Sequence, residues 1–299
     1  MIAVFLLNIF YALVCPIGKV ALYYTSPLFL TGFRMVLGGA VVLAYQYIFR
    51  RDRFVVPTIS WWPLFWAAVY TIYLTNWLEF LALEHLTPAK TSFLYNLYPF
   101  VSALLSVTYL REGLSGKKWL GICIGLLGSI PLLISADAAD PHLYKYFGLV
   151  SVPELALLAS VLVCPLGWIF IQKAVCQKGC DSVMANSVTM LIGGLMALVH
   201  SGLTENWNPV PVTNVPWFLI TTGGLIVVSN LICNTMYIEL LKKYTITFLS
   251  FTGFITPIVT AIFDWLFFGY RVPTTFYISM SIMFIGFYIF YKAEETTPI

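Results

Sequence analysis

The chain has little charge. Only 10% of its 299 residues are Asp, Glu, Lys or Arg, and 60% are hydrophobic, with a mean hydropathy of +0.88. Soluble domains carry about a quarter charged residues, so this composition cannot cover a water-exposed surface. The longest stretch between apolar segments is 136–147, which leaves no room for a soluble domain. The composition therefore predicts a chain whose solvent is lipid.

Catalytic and metal-binding patterns are also absent from the sequence. It contains no H-E-x-x-H, no G-x-S-x-G and no glycine-rich phosphate loop. The three histidines, His85, His142 and His200, fall near predicted span ends or in loops, which excludes a histidine proton relay within the membrane. Cys176 and Cys180 share a loop without a nearby His or third Cys, so a metal site is disfavoured. We expect no catalytic residues, no metal and no cofactor.

Long apolar runs are what the sequence does have. A membrane-spanning helix needs about 20 apolar residues, whereas barrel strands alternate over about 10. The runs predict an all-α integral membrane protein with ten transmembrane helices. The predicted spans are 2–22, 27–49, 61–83, 88–110, 115–135, 148–172, 183–203, 216–240, 245–268 and 274–291.

The positive charges predict the orientation of these spans. With the N-terminus inside, eleven of the sixteen Lys and Arg fall on the inner side, as the positive-inside rule requires. Both termini are then cytoplasmic, in a bacterial inner membrane. The segment Met1–Phe10 lacks the basic region of a cleaved signal peptide and is predicted to belong to the first span. These basic clusters determine topology, and we expect no nucleic-acid partner.

The sequence repeats itself. Leu13–Gly18 reads L-V-C-P-I-G and Leu162–Gly167 reads L-V-C-P-L-G. The residues Ser92, Pro99, Ala103 and Ser106 are followed 158 positions later by Ser250, Pro257, Ala261 and Asp264. We predict a first five-helix repeat at 1–137, an outer linker at 138–147, a second repeat at 148–292 and a cytoplasmic tail at 293–299. Two such halves must enter the membrane in opposite senses, which is typical of alternating-access carriers.

Four prolines lie inside predicted spans, in repeat-related pairs. They are Pro16 with Pro165 and Pro99 with Pro257. A proline removes a backbone hydrogen bond and bends its helix. The pairs favour helices that move or line a cavity, and static kinks are the alternative.

Ionisable residues within spans are costly and usually face a partner or a cavity. They are Lys19, Arg34, Glu79, Lys90, Glu154 and Asp264, all in the predicted outer half. Glu79, one helical turn after Asn76, is a candidate for contact with a substrate or a coupled ion. For Lys19, Lys90 and Glu154, salt bridges or snorkelling to the interface are the alternative.

Aromatic and amide side chains also occur at membrane depth. The candidate site residues of this kind are Tyr11, Tyr73, Trp77, Tyr95, Tyr98, Trp168, Asn8, Asn76, Asn96, Asn230 and Asn234. An aromatic stripe is more often packing than a ligand site. Mixed with amides and a glutamate, it resembles a cavity for a polar, ring-bearing solute, because rings stack on a flat base and attract a cation.

The chain resembles the drug/metabolite transporter superfamily, EamA type, over essentially its full length. The resemblance rests on the five-plus-five layout and on Pro27, Arg34, Pro99, Glu112, Gly116 and Gly121. The second repeat departs from the first, because it has Phe268–Arg271 where a counterpart of Glu112 is expected. The resemblance implies a secondary transporter, not an enzyme.

Within this superfamily the sequence is similar to the S-adenosylmethionine/S-adenosylhomocysteine carriers of obligate intracellular bacteria. That similarity implies uptake of S-adenosylmethionine in exchange for S-adenosylhomocysteine. Aromatic rings would hold the base and the sulfonium, and Glu79 or Asp264 the positive groups. The carboxylate would be bound by Arg34, Lys19 or Lys90. The expected partners are this substrate or a similar one and the lipid bilayer, in a monomer or homodimer.

Other functions remain open at this point. An exporter of amino acids or aromatic metabolites would favour the same cavity. A sugar-phosphate carrier would need several deep cations, and only Arg34 comes close. A lipid-modifying enzyme would need acid–base groups at an interface, where Glu84 and His85 are the candidates. A channel is disfavoured because repeated pore rings are absent.

Overall fold

The computed structural model describes residues 2–51, 54–110, 115–135, 150–244, 249 and 252–295. No β-strand occurs among them, which agrees with the predicted all-α class. The α-helices are α1 Ile2–Leu22, α2 Pro27–Phe49, α3 Trp61–Ala67, α4 Thr75–His85, α5 Pro88–Tyr95, α6 Tyr98–Leu110, α7 Gly116–Leu127, α8 Ile130–Ile134, α9 Val152–Gln172, α10 Ser182–Thr204, α11 Val215–Leu225, α12 Asn234–Leu240, α13 Thr256–Phe268 and α14 Thr274–Glu295.

Three π-helical turns belong to these helices. Ala68–Leu74, here the first π-turn, joins α3 to α4, and Ile226–Cys233, the second π-turn, joins α11 to α12. The third, Lys173–Gln177, extends α9. The first and second π-turns begin 158 positions apart, which is the offset of the sequence repeat.

Seven helical segments of the described chain are long and apolar enough to cross a membrane. They are Ile2–Leu22, Pro27–Phe49, Gly116–Ile134, Val152–Gln177, Ser182–Thr204, Val215–Leu240 and Thr274–Ala293. A shorter apolar helix covers Gly253–Phe268. The count of ten spans stays a prediction. The last helix extends to Glu295, beyond the predicted start of the tail at 293.

Helices α2 and α10 pack against each other through paired glycines. A Cβ on Gly39 would lie 3.0 Å from the Ser187 carbonyl oxygen, and one on Gly194 would lie 2.8 Å from the Val36 amide nitrogen. Neither position has room for a side chain, so the two backbones meet directly. Small residues permit this approach in membrane helices.

The adjacent glycines contact the π-turn of the opposite half. A Cβ on Gly38 would lie 3.0 Å from Asn230 Nδ2 in the second π-turn. One on Gly193 would lie 2.6 Å from Ile72 Cβ in the first π-turn. Ile72 and Asn230 are separated by the repeat offset of 158. The two halves therefore make matching contacts across the bundle.

Helices α7 and α14 form a second glycine contact. A Cβ on Gly121 would lie 2.7 Å from the Gly286 carbonyl oxygen, and one on Gly286 would lie 2.5 Å from the Gly125 amide nitrogen. These glycines of the fifth predicted span therefore pack within the chain.

The predicted fourth span is interrupted, because a turn at Asn96–Leu97 separates α5 from α6. The first amide of this turn donates to the Phe93 carbonyl oxygen at 3.0 Å, which is a bond to the third residue back rather than the fourth. Pro99 follows, and it lacks an amide hydrogen and obstructs the carbonyl four residues earlier. A 3₁₀ turn, Gly253–Ile255, occupies the same place ahead of Pro257.

Pro16 and Pro165 behave differently from the other pair. Helices α1 and α9 continue through them without a change of helix type. Of the two proline pairs, only Pro99 and Pro257 thus follow an interruption of the helix, and a role of either pair in movement stays a prediction.

The polar loop 205–214, between α10 and α11, packs over the turn between α1 and α2. The Glu205 carboxylate accepts the Leu28 and Phe29 amides at 2.8 and 2.9 Å, which satisfies free N–H groups at the start of α2. An isolated antiparallel bridge joins Thr25 to Val212. These contacts hold the first two helices in place beside α10.

Candidate functional site: a cavity within the helix bundle

A cavity of about 160 Å³ lies inside the bundle. One water needs roughly 10–15 Å³ on the same measure, so the space suits a small organic molecule. Residues of α1, α2, α4, α5, α6, α9 and α12 line it, together with the first and second π-turns and the start of the ninth predicted span. Of the predicted site residues, the cavity brings together Asn8, Tyr11, Arg34, Asn76, Glu79, Tyr95, Asn96, Tyr98, Pro99, Trp168 and Asn234.

Two opposite charges line the same cavity. Arg34, on α2, is 1% exposed, and Glu79 lies on α4. Neither forms an ion pair with another residue of the described chain, where ion pairs join other side chains. Glu79 Oε1 accepts a long hydrogen bond from Cys15 Sγ at 3.9 Å. The cavity therefore offers a cation and a carboxylate that do not neutralise each other directly.

Uncharged partners hold the Arg34 guanidinium. Its Nη1 donates to Ser229 Oγ at 3.3 Å and to Asn230 Oδ1 at 3.2 Å, and its Nη2 donates to Asn76 Oδ1. The guanidinium carbon lies 4.7 Å from the centre of the Phe80 ring. A guanidinium has five N–H donors, and the Arg34 Nε has no hydrogen-bond partner among the described residues. This nitrogen is therefore a buried donor that the described residues leave unsatisfied.

The first π-turn positions Asn76. Its Nδ2 donates to the Thr71 and Ile72 carbonyl oxygens at 2.8 and 2.9 Å. These carbonyls belong to the turn, where the regular α-helical bonding changes. The amide oxygen of Asn76 is thereby directed at Arg34, so the π-turn helps to orient the cation.

Two aromatic pairs line the cavity from different helices. The Tyr95 and Tyr98 rings have centroids 6.2 Å apart and planes within 5° of parallel. The Trp168 and Tyr237 centroids are 4.2 Å apart, with planes at 41°. Tyr95 donates its hydroxyl to Cys164 Sγ at 3.0 Å. Such rings stack on flat bases and attract cations at their faces.

Two amides meet beside Gly253. A Cβ on this glycine would lie 3.5 Å from Asn96 Oδ1 and 3.7 Å from Asn8 Oδ1. Asn8 Nδ2 donates to the Val4 carbonyl oxygen at 2.9 Å and to Thr252 Oγ1 at 3.2 Å. We call Asn8 and Asn96 the amide pair.

The amide pair and the charged groups lie at different depths. Asn8 precedes Cys15, the hydrogen-bond partner of Glu79, by seven residues on α1. At 1.5 Å per residue, this separation is about 10 Å along the helix axis. A ligand that reaches both must therefore be elongated.

Four of the predicted ionisable residues lie outside the cavity lining and bind elsewhere. Lys19 Nζ donates to the Leu83, Glu84 and Leu86 carbonyl oxygens at 2.8, 2.8 and 3.0 Å. These carbonyls end α4, so Lys19 caps that helix, where a cation is favourable. Asp264 Oδ2 accepts the Ala89 amide at 2.7 Å, at the start of α5. The third, Lys90, forms a buried ion pair with Glu154, with 2.7 Å between Nζ and Oε1.

Glu154 also contributes to the N-terminal cap of α9, in the first turn of this helix. Its Oε2 accepts the Ser151 amide at 2.6 Å, while Ser151 Oγ accepts the Glu154 amide at 3.4 Å. This is a capping box. In the structure Lys90 and Glu154 thus form a salt bridge between helices, which is the alternative that the sequence offered for them.

Three further predicted residues also fall outside the lining. Tyr73 and Trp77 stack on each other, and the Tyr73 hydroxyl lies 2.9 Å from His200 Nδ1 on α10. These rings face α10 instead of the cavity. Asn230 does not line the cavity but packs against α2, where its Nδ2 donates to the Arg34 carbonyl oxygen at 3.1 Å.

Some lining residues were not predicted as site residues. Cys15 and Cys164, which belong to the repeated L-V-C-P motif, both line the cavity. Thr71 and Tyr237 do so too, and the position of Tyr237 one turn after Asn234 was the available sequence signal. Glu112, Ser250, the linker 138–147 and the side chain of Ser106 lie outside the described residues.

No group of three or more His, Cys, Asp or Glu that could hold a metal occurs in the described part of the chain. The groups that converge on the cavity are instead hydrogen-bonding amides, aromatic rings and one charge of each sign. This set suits reversible binding of a polar organic molecule.

Comparison with known proteins identifies the family. The EamA-like transporter family matches residues 1–134 and 152–292. The S-adenosylmethionine/S-adenosylhomocysteine transporter of Chlamydia muridarum (strain MoPn / Nigg) is 34% identical over 281 residues, which cover 93% of this chain and 87% of that relative. The transporter of the same name from Chlamydia trachomatis serovar L2 is also 34% identical, over 93% of this chain and 84% of its own length.

A solved crystal structure has the same fold. It matches with a TM-score of 0.66, over 99% of this chain and 97% of that chain, at 16% sequence identity. At this identity the likeness concerns the fold alone.

Proposed function

This chain belongs to the EamA-like transporter family, a family of multi-pass membrane carriers rather than enzymes, and from that premise we propose that it carries S-adenosylmethionine and S-adenosylhomocysteine. The observation that favours this substrate is the cavity in which Arg34 and Glu79 stay unpaired. An amino-acid end needs a cation for its carboxylate and an anion for its ammonium group. The relatives that bear this substrate's name share a third of the sequence.

In this proposal, each group of the substrate has a partner in the cavity. Arg34 would bind the α-carboxylate, and Glu79 would bind the ammonium or the sulfonium. The aromatic pairs would stack on the adenine. Lys19, Lys90 and Asp264 have no part in this assignment, because they bind α4, Glu154 and the start of α5.

We further propose a topology and a transport cycle. The ten predicted spans would form two inverted five-helix repeats in a bacterial inner membrane, with both termini cytoplasmic. Matching contacts of Gly38 and Gly193 with the opposite π-turns support the repeat relation. Uptake of S-adenosylmethionine would be exchanged for the spent S-adenosylhomocysteine, so that return of the product resets the carrier without a coupled ion.

Binding by the purified carrier tests the substrate and the site together. We expect both S-adenosyl compounds to raise the apparent melting temperature, because a ligand of the folded state stabilises it. Glu79→Gln should weaken binding at least tenfold without lowering the melting temperature of the free protein. Glu239→Gln, the same change at a 57% exposed side chain, is the matched control and should bind normally.

The outcomes separate the rival transporters. Aromatic and other amino acids are tested beside the two S-adenosyl compounds. Stabilisation by amino acids alone would indicate the exporter, and no rise in melting temperature with any of these ligands would overturn the proposed substrate. Exchange is tested in proteoliposomes. Uptake of labelled S-adenosylmethionine should require internal S-adenosylhomocysteine, and uptake driven by a proton gradient into empty vesicles would contradict it.

A further inference from the structure

We propose that the amide pair, Asn8 and Asn96, reads the edge of the nucleobase and makes the carrier selective for 6-aminopurines over 6-oxopurines. This inference rests on the proposed function, because it assigns a role in recognition of the same ligand. It goes beyond that function by naming the atoms that discriminate between two bases of nearly equal size.

Asn8 can offer only an acceptor to the cavity. Its Nδ2 is occupied by the Val4 carbonyl oxygen and Thr252 Oγ1. Reversal of the amide would set its oxygen against the Val4 carbonyl oxygen, so these bonds define the orientation. The Oδ1 is the atom that remains, beside the space next to Gly253.

Asn96 offers a donor. The side chain is 7% exposed and lines the cavity, and its Nδ2 has no hydrogen-bond partner among the described residues. Buried polar groups are rarely left without a partner, so each exception needs an explanation. A ligand acceptor explains this one. The interruption at Asn96–Leu97 is what brings the amide to the cavity wall instead of into a regular helix.

A donor beside an acceptor complements adenine. Adenine presents a ring-nitrogen acceptor next to its exocyclic amino donor, whereas a 6-oxopurine presents a carbonyl acceptor at the exocyclic position. Asn96 Nδ2 would donate to the ring nitrogen, and Asn8 Oδ1 would accept from the amino group. With a 6-oxopurine, the oxygen of the base would face Asn8 Oδ1 and two acceptors would meet.

The two amide groups border the same point of the cavity wall. Both amide oxygens lie within 4 Å of the same point, where a Cβ of Gly253 would be. Tyr95 and Tyr98 flank Asn96 in the sequence and line the same cavity, which places aromatic faces beside the amides. Cys15, which donates to Glu79, lies about 10 Å further along α1 than Asn8. Glu79 would therefore meet the other end of an elongated ligand.

Isothermal titration of the full-length carrier with two probes tests this inference. The probes are S-adenosyl-L-homocysteine and S-inosyl-L-homocysteine, which differ in the 6-amino and 6-oxo groups. We expect the wild type to bind the adenosyl compound at least 100-fold more tightly, because a site built to hydrogen-bond a group rejects its analogue strongly. Asn8→Leu should reduce this ratio at least tenfold, and Asn96→Leu should weaken adenosyl binding at least tenfold.

A glycine substitution protects the test against misfolded variants. The methyl group of Gly253→Ala would make only ordinary contacts, at 3.5 Å from Asn96 Oδ1 and 3.7 Å from Asn8 Oδ1. We expect an unchanged melting temperature and at least tenfold weaker binding of the adenosyl compound. Gly224→Ala is the matched control, since its methyl would meet only Ile17 at 3.7 Å and lies outside the lining.

Each result decides the matter. If the wild type binds both probes equally, or if Gly253→Ala binds as Gly224→Ala does, the role of the amide pair is refuted while the proposed substrate stands. If the wild type binds no S-adenosyl compound, the proposed function fails and this inference fails with it.

Discussion

The ion pair of Lys90 and Glu154 allows a quantitative test of the packing. The Lys90 Nζ and the Glu154 Oε1 are 2.7 Å apart, and the two side chains are 4% and 0% exposed. The pair joins α5 to α9, where the capping box also uses the glutamate. Lys90→Met would keep the length of the side chain and remove its charge.

The expected cost follows from burial. Removing one partner of a buried pair leaves an uncompensated charge, which lowers the free energy of unfolding by about 3–5 kcal/mol. For a chain of this size, that cost corresponds to a fall in melting temperature of about 5–10 °C. The double variant Lys90→Met/Glu154→Gln should recover at least half of the loss, because no buried charge then remains unpaired.

Thermal unfolding of the purified variants, followed by intrinsic fluorescence, measures these effects. The control is Lys242→Met, which breaks the ion pair with Glu239, at 2.8 Å, between side chains that are 38% and 57% exposed. Exposed pairs contribute about 0–1 kcal/mol, so the control should melt within about 2 °C of the wild type. Equal shifts for Lys90→Met and Lys242→Met, or additive losses in the double variant, would refute the reasoning.

Three further predictions follow from close packing and from the cysteines. Gly167→Val should abolish the monodisperse peak in gel filtration, since even a Cβ would lie 1.7 Å from Thr71 Oγ1; a normal peak would contradict the packing. S-adenosylhomocysteine should slow alkylation of Cys15 by a small thiol reagent, as mass spectrometry can measure, because this thiol lines the cavity; an unchanged rate would place the ligand elsewhere. Burial raises the pKa of Cys180, in the loop before α10, to about 11, so its thiolate is scarce below that pH. Its alkylation should accelerate about tenfold per pH unit from pH 8 towards pH 11, and a plateau near pH 9 would contradict the burial.

Hydropathy predicted the all-α class and the apolar helices from sequence. The apolar runs marked the helices, and intramembrane polar residues such as Arg34, Glu79 and Asn96 marked the cavity, because lipid-facing charges and amides are too costly. The partners of Lys19 and Asp264 could not be predicted in this way. Both bind backbone groups at the ends of other helices, and only the tertiary structure brings those groups near.

The sequence pattern also could not predict the direction in which the aromatic side chains point. Tyr73 and Trp77 are one helical turn apart, and both were predicted as site residues. The first π-turn ends between them and changes the helical register there. Asn76 and Glu79 consequently reach the cavity, while the two rings face α10.

The crossed glycine contacts have a mechanical consequence. Helix α2 rests on the second π-turn and helix α10 on the first, through Gly38 and Gly193. Neither half can then rotate as a rigid body without displacing a helix of the other half. We therefore expect flexing within the halves, for instance at the interruptions ahead of Pro99 and Pro257. On this expectation the hinges lie inside each half, and the glycine contacts of α2 and α10 stay engaged.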